Sequence, residues 1–263
     1  MTVTERTLTR TSVTGEPLFS RVWTAATLPR AGLLLVHGIS EHSARYDHVA
    51  RYLASRGVEV HAYDHVGHGR SGGRRGWVAR FEDFLDDLAM MHAEVAARLR
   101  DKPLFVLGHS MGGLIVTAYL LARAAKPDFV VLSGPAIVPI LDPGDRRIDP
   151  TRLSRDPAVW EAYLSDPLIL RERVTDELYA RLAEGLALLP GNAGSIRLPI
   201  LLLHGLDDPL CSAEGARQYL SASGSPDFSV HLYSGGRHEM FNEINRDQVL
   251  ADLWTWMSAR IST

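Results

Sequence analysis

The stretch "LFVLGHSMGGLIVTAY", residues 104–119, decides how this chain is read. An apolar run stops at Gly108, a serine follows at 110, and Gly112 and Gly113 open a second apolar run. The first run suits a strand buried on both faces, and the second has the spacing of a helix. A G-x-S-x-G pattern is weak by itself. Placed where a buried strand gives way to a helix, it is the signature of a nucleophile elbow. Side chains on either side of so sharp a turn would collide, which explains Gly108 and Gly112. The turn leaves the Ser110 hydroxyl exposed at a helix N-terminus.

Working outward, further apolar runs end in glycine-rich turns: 31–38, 58–64, 128–134, 199–205 and 228–236. Most are apolar throughout, as expected of strands covered on both faces. Helical spacing marks 80–100, 111–125, 212–223 and 242–259. The alternation predicts an α/β fold, a mostly parallel central sheet with helices on both faces. Segments 3–10 and 18–25 alternate weakly and suit an antiparallel edge. Residues 138–197 break the pattern, with Pro139, Pro143, Pro150, Pro157, Pro167 and Pro190, helical fragments and no strand. A connection of roughly sixty residues is long enough to imply a function, and the expectation is a cap over one end of the sheet. The whole chain, 1–263, then reads as a single domain with that insertion.

The composition fits a soluble globular protein, with 46% hydrophobic and 22% charged residues. A net charge of −3 gives no electrostatic case for nucleic acid. The only cysteine, Cys211, excludes an intramolecular disulfide and fits a reducing compartment. The polar start "MTVTERTLTRTSV" lacks the apolar core of a secretory signal, and no apolar stretch approaches the roughly 18 residues of a membrane span. A cytoplasmic location is expected.

A serine hydroxyl needs a base within hydrogen-bond reach. Of the eleven histidines, His238 stands in the loop "SGGRHEMFNE", after the last expected strand and at the same sheet end as the elbow. His204 and His231 lie inside or beside strands and read as core packing. His109 adjoins the nucleophile, with a structural or substrate-facing role. His65 and His68 lack a third metal ligand at a recognisable spacing, and "HEMFN" lacks the second histidine of a zinc-protease helix; no metal is expected. The base in turn needs a carboxylate. "LLLHGLDDPL" offers Asp207 or Asp208 after a strand, and either preserves the chain order Ser, Asp, His of α/β-hydrolases. The tetrahedral oxyanion calls for two backbone N–H groups. Met111, after the nucleophile, and Ile39, after the "LLLVHG" strand, are the candidates.

Four stretches together, "HGISEHSARY" (37–46), "DHVGHGRSGG" (64–73), "GHSMGG" (108–113) and "GGRHEMFNE" (235–243), resemble the monoacylglycerol lipases and lysophospholipase-like serine hydrolases of the α/β-hydrolase superfamily. "LSRDPAVWEAYLSDPL" (153–168) is similar to part of that family's cap. The resemblance implies a Ser110–Asp208–His238 triad, favouring Asp208 over Asp207 by its distance from Gly205. It also implies that Glu41, Arg45, His109 and Tyr163 lie where glycerol hydroxyls bind; for Glu41 and Arg45 a loop-fixing ion pair is the competing reading. Cys211 lines the alcohol side of the pocket or simply packs. The cap departs from the family pattern: it is shortened, with "AIVPIL" (136–141) as its only apolar remnant. The expected activity is hydrolysis of monoacylglycerols or similar lipid esters without a cofactor, with transient contact with membranes or micelles. A broader carboxylesterase or lysophospholipase, or a silent ligand-binding relative, are the alternatives.

Overall fold

The computed structural model describes residues 2–139, 147–171 and 174–261. Its centre is an eight-stranded sheet in the order β1-β2-β4-β3-β5-β6-β7-β8. The strands are β1 (Val3–Thr11), β2 (Pro17–Ala25), β3 (Ala31–Val36), β4 (Val58–Tyr63), β5 (Leu104–His109), β6 (Phe129–Ser133), β7 (Ile200–Gly205) and β8 (Phe228–Tyr233). From β4 through β8 the neighbours are parallel, whereas β1 and β2 form an antiparallel hairpin on one edge. This is the α/β-hydrolase fold.

Every residue of β3, β4, β5 and β7 is buried; β3 is apolar throughout, β5 and β7 nearly so, whereas β4 buries Glu59 and His61 as a hydrogen-bonded pair at 2.7 Å. Side chains nonetheless alternate between two cores. Leu34, Val36, Val106, Leu132 and Leu202 face one side, under α2 (Phe81–Arg98), α3 (Met111–Ala122), α5 (Asp176–Ala187) and α6 (Ala213–Ser221). Leu33, Leu35, Leu107, Val131 and Leu203 face the other, under α1 (Asp47–Ala54) and α7 (Arg246–Ile261).

Helix α1 is absent from the helices expected above. It is only eight residues long, with Val49, Ala50, Leu53 and Ala54 buried on one stripe. The last helix runs 246–261 rather than 242–259, because a short 3-10 turn, Met240–Asn242, precedes it.

Between β6 and β7 the described residues hold α4 (Pro157–Ser165) and α5 and no strand. Asp156 caps α4, accepting the Ala158 N–H, and Pro157 fills a first-turn position that needs no donor. Thr175 caps α5. Gly185 lets α5 close on α2: a Cβ there would lie 2.3 Å from the Phe81 ring. Of the expected cap, residues 140–146 and 172–173 lie outside the described residues, including Ile140 and Leu141 of the apolar remnant; Ile137 is buried. Among the described residues no helix is long and apolar enough to cross a membrane.

Candidate active site

The C-terminal ends of β3, β5, β6, β7 and β8 meet at one edge of the sheet. Ser110 lies between β5 and α3 with φ 51° and ψ −118°, a conformation that costs a non-glycine residue about 1–3 kcal/mol. The surroundings hold it there. Its N–H donates to the Ser133 carbonyl at 3.1 Å, and its own carbonyl accepts from Leu114 and Ala136. A Cβ on Gly108 would lie 2.5 Å from the Gly112 carbonyl oxygen, and one on Gly112 would lie 2.1 Å from that of Val36. Both glycines are therefore required by contact with backbone that cannot yield.

His238 comes from the loop after β8. Its Nε2 is 2.8 Å from Ser110 Oγ and its Nδ1 is 2.8 Å from Asp208 Oδ2. Because the carboxylate only accepts, Nδ1 carries the hydrogen and Nε2 is free to accept from the serine hydroxyl. Burial disfavours the imidazolium, yet the adjoining Asp208 carboxylate outweighs it and raises the His238 pKa. Burial likewise opposes the Asp208 anion, but His238 and His204 hold its carboxyl well below the usual range. Asp207 is exposed and turned from this chain of bonds; its N–H donates to the Gly236 carbonyl. The structure thus joins Ser110, His238 and Asp208, and leaves Asp207 aside.

A pocket opens over Ser110 and His238, with about 800 Å³ of space not filled by atoms, its mouth included. Ile39, Met111, Glu41, His109 and Tyr163 all line it. No acceptor among the described residues takes the Ile39 or Met111 N–H. His37 shapes the loop that carries Ile39. Its Nε2 accepts the His65 N–H at 3.0 Å, so its Nδ1 donates to the Gly38 carbonyl at 2.7 Å. Glu41 accepts from Gly38 N–H at 2.6 Å, from the Tyr46 hydroxyl at 2.7 Å and from Arg45 at 2.9 Å.

Arg45 sits behind the pocket wall. Expected among the substrate contacts, it does not line the pocket. Its guanidinium grips Glu239 through two hydrogen bonds, 2.5 and 2.7 Å, and lies over the Tyr163 ring at 5.2 Å. These contacts are those of the loop-fixing ion pair that competes with the substrate reading. Glu239, which does line the pocket, was missed in the sequence although it adjoins His238; burial opposes its charge, but Arg45 lowers its pKa to about 2. His109 Nδ1 donates to the Ser133 carbonyl, 2.9 Å away, and burial keeps its pKa low. Tyr163 is buried, and its hydroxyl has no hydrogen-bond partner among the described residues.

His204 is buried as expected, but it does more than pack: its Nε2 lies 2.9 Å from Asp208 Oδ2. His231 is no core residue, since its side chain on the edge strand β8 is 40% exposed. His65 and His68 place their bonded nitrogens on the carbonyls of His37 and Val66. Asp208, Cys211 and His238 bring atoms able to bind a metal within 4.8 Å of one another. The Asp208 carboxylate, however, already accepts from both imidazoles and from the Leu210 and Cys211 N–H groups. Burial and the Asp208 charge also raise the Cys211 thiol pKa, which opposes the thiolate a metal needs. The donor set fits a hydrogen-bonded acid better than a metal centre.

Comparison with known proteins bears on the family and the fold. The profile of the family described as serine aminopeptidase, S33, matches residues 27–245. A monoacylglycerol lipase of Mycolicibacterium smegmatis is 36% identical over 91% of this chain and 92% of its own length. Mouse monoglyceride lipase is 32% identical, covering 94% and 89% respectively. The crystal structure of a monoacylglycerol lipase of Paleococcus ferrophilus superposes with a TM-score of 0.80 at 26% identity, covering 98% of this chain and 99% of that one. The chain belongs to the S33 family of α/β-hydrolases and is a serine hydrolase related to the monoacylglycerol lipases.

Proposed function

We propose that this protein hydrolyses monoacylglycerols to fatty acid and glycerol through an acyl-enzyme on Ser110. The carrying observation is the unbroken hydrogen-bond chain from Ser110 through His238 to Asp208 at the base of a pocket. In this reading Ser110 Oγ attacks the ester carbonyl carbon as its hydrogen passes to His238 Nε2. The carbonyl oxygen, now anionic, is held by the Ile39 and Met111 N–H groups. Collapse breaks the bond to the glycerol oxygen, which leaves with the proton from His238. Water then attacks the acyl carbonyl and gives a proton to His238. That proton returns to Ser110 as the fatty acid departs. Asp208 keeps the imidazole in the productive tautomer and stabilises its cation. No cofactor enters the balance.

The pocket's two characters support the substrate class. Val174, Leu182, Ile148 and Leu153 offer an apolar wall for an acyl chain. Glu41, His109 and Tyr163 form a polar end for glycerol hydroxyls, and the unpartnered Tyr163 hydroxyl is the group most in need of one. Arg45 acts by fixing Glu41 and Glu239. Residues 138–197 serve as a cap on a single α/β-hydrolase domain. The protein works in the cytoplasm, meeting its lipid ester by transient contact with membranes or micelles. The names of two relatives, a monoacylglycerol lipase and a monoglyceride lipase, point the same way.

A lysophospholipase, or an esterase of broader range, is the second reading, because Arg147 and Arg152 also line the pocket and a guanidinium suits a phosphate. Rates on monoacylglycerols of graded chain length, beside lysophospholipids, separate the two. Ser110→Ala should abolish fluorophosphonate labelling and lower activity by about a millionfold if the triad acts as a unit. Substantial hydrolysis by that variant would sink the mechanism, and a wild-type protein that takes no label would instead be a silent binder.

A further inference from the structure

We infer that His204 is a positioning residue for the proposed triad: its Nε2–H donates to the same Asp208 oxygen that receives His238, and so governs how strongly the acid holds the base. The inference rests on the triad assignment above. His204 is the one polar residue in the strand run Ile200–His204 and is fully buried. An imidazole in such a place is costly unless it is hydrogen-bonded. Its two partners are Asp208 Oδ2 at 2.9 Å and the Cys211 carbonyl at 3.1 Å, both acceptors. Nε2 therefore carries the hydrogen. Nδ1 has no partner among the described residues, so the polar engagement of this ring is directed at the Asp208 loop.

The carboxylate is consequently held by four donors. Oδ1 accepts from the Leu210 and Cys211 N–H groups at 2.8 and 3.0 Å, and Oδ2 accepts from His238 and His204 at 2.8 and 2.9 Å. Rotating it to favour any one donor breaks the others. The negative charge on Oδ2 is also divided between two imidazoles. Without His204 it is directed wholly to His238, which becomes more basic. The charged and titratable groups around His238 are Asp208, its neighbour Glu239, Glu41 from the loop after β3, His109, whose ring centre is 4.9 Å away, and the Cys211 thiol within 4.8 Å. Asp208 and the buried Cys211 face His204. Among the described residues only Asp208 is hydrogen-bonded to both imidazoles, so a change at 204 reaches His238 through that carboxylate.

The test compares His204→Leu and His204→Gln with the wild type, using pH profiles of kcat/KM on a p-nitrophenyl ester. The leucine variant should lose about tenfold to a hundredfold in kcat, the worth of one hydrogen bond to a charged group, with KM little changed. The acid limb should move up by roughly half a pH unit to one unit. Glutamine, which presents an amide N–H near the Nε2 position, should restore both. If leucine prevents folding, His204→Asn carries the same expectation, because its shorter amide does not reach the carboxylate. In an Asp208→Asn background, removing His204 should cost almost nothing further, whereas a packing role predicts additive losses. An unmoved acid limb in a folded variant, or additive losses, would overturn the inference. Failure of the triad reading looks different: the wild type would then not take a fluorophosphonate label at Ser110.

Discussion

Asp207 and Asp208 are adjacent and chemically identical, yet one is exposed and the other accepts four hydrogen bonds in a closed site. The proposed mechanism makes their substitutions diverge. Asp208→Asn should lower kcat by about ten-thousandfold, because an amide no longer enforces the His238 tautomer. Asp207→Asn should remain near wild type, and equal losses in both would place the acid elsewhere. The pH profile gives a second readout. His238 must be neutral to take the serine proton, and Asp208 raises its pKa above the ordinary value of about 6.5. The kcat/KM of the wild type should therefore fall on the acid side from a midpoint above that value. In Asp208→Asn burial is no longer outweighed by the adjacent anion, so the residual activity should keep its plateau to lower pH. A limb that stays in place or moves upward would contradict the electrostatic role given to Asp208.

Elements bear on stability as much as on chemistry, and α2 carries the clearest case. Asp87 on its buried face accepts the Val13 N–H at 2.9 Å, tying the β1–β2 hairpin to the helix. Burial first, then the neighbouring Asp83 and Asp86 charges, raise its pKa to about 6. The folded state thus holds a proton that the unfolded chain releases at about pH 3.9. Stability from this group is fully present below that pH and is lost as the pH rises toward 6. Asp87→Asn keeps the carbonyl that accepts from Val13 and removes the buried charge. It should stabilise the protein by about 2 kcal/mol at pH 7, with the gain vanishing near pH 4 in paired thermal melts. A variant that melts no higher at pH 7 would contradict this account. The elements themselves were largely legible, for physical reasons: β3, β5 and β7 are covered on both faces, so burial writes them as mainly apolar runs. The eight-residue α1 was not recognised, since two turns give too few repeats of the helical period and lie beside a motif dense in polar groups. The Arg45–Glu239 pair joins residues 194 positions apart. No local spacing encodes such a contact, so the sequence offers no sign of Arg45's partner Glu239 until the fold brings the two together.

At the scale of the molecule, the sheet solves a problem of convergence. Ser110 and His238 are 128 positions apart, yet parallel strands deliver the loops after β5, β7 and β8 to one edge, the usual place for a site in such folds. The chemistry is thereby set by a rigid core, while the shape of the pocket is set largely by the residues between β6 and β7. The two should be separable by mutation. Leu182 on α5 lines the pocket and packs into the core shared with α2 and α3, and makes no hydrogen bond to Ser110, His238 or Asp208. Leu182→Trp should fill part of the apolar wall and leave the hydrogen-bond chain untouched. On an acyl-length series of monoacylglycerols, kcat/KM for the longest chains should then fall by roughly tenfold to a hundredfold, the cost of displacing one or two buried methylene groups. Short-chain esters should stay within about a factor of three, and fluorophosphonate should label Ser110 as fast as in the wild type. A uniform loss across all lengths would mean that α5 supports the catalytic groups themselves. No loss at any length would mean that the acyl chain leaves the site by another wall, and the pocket's apolar side would need reassignment.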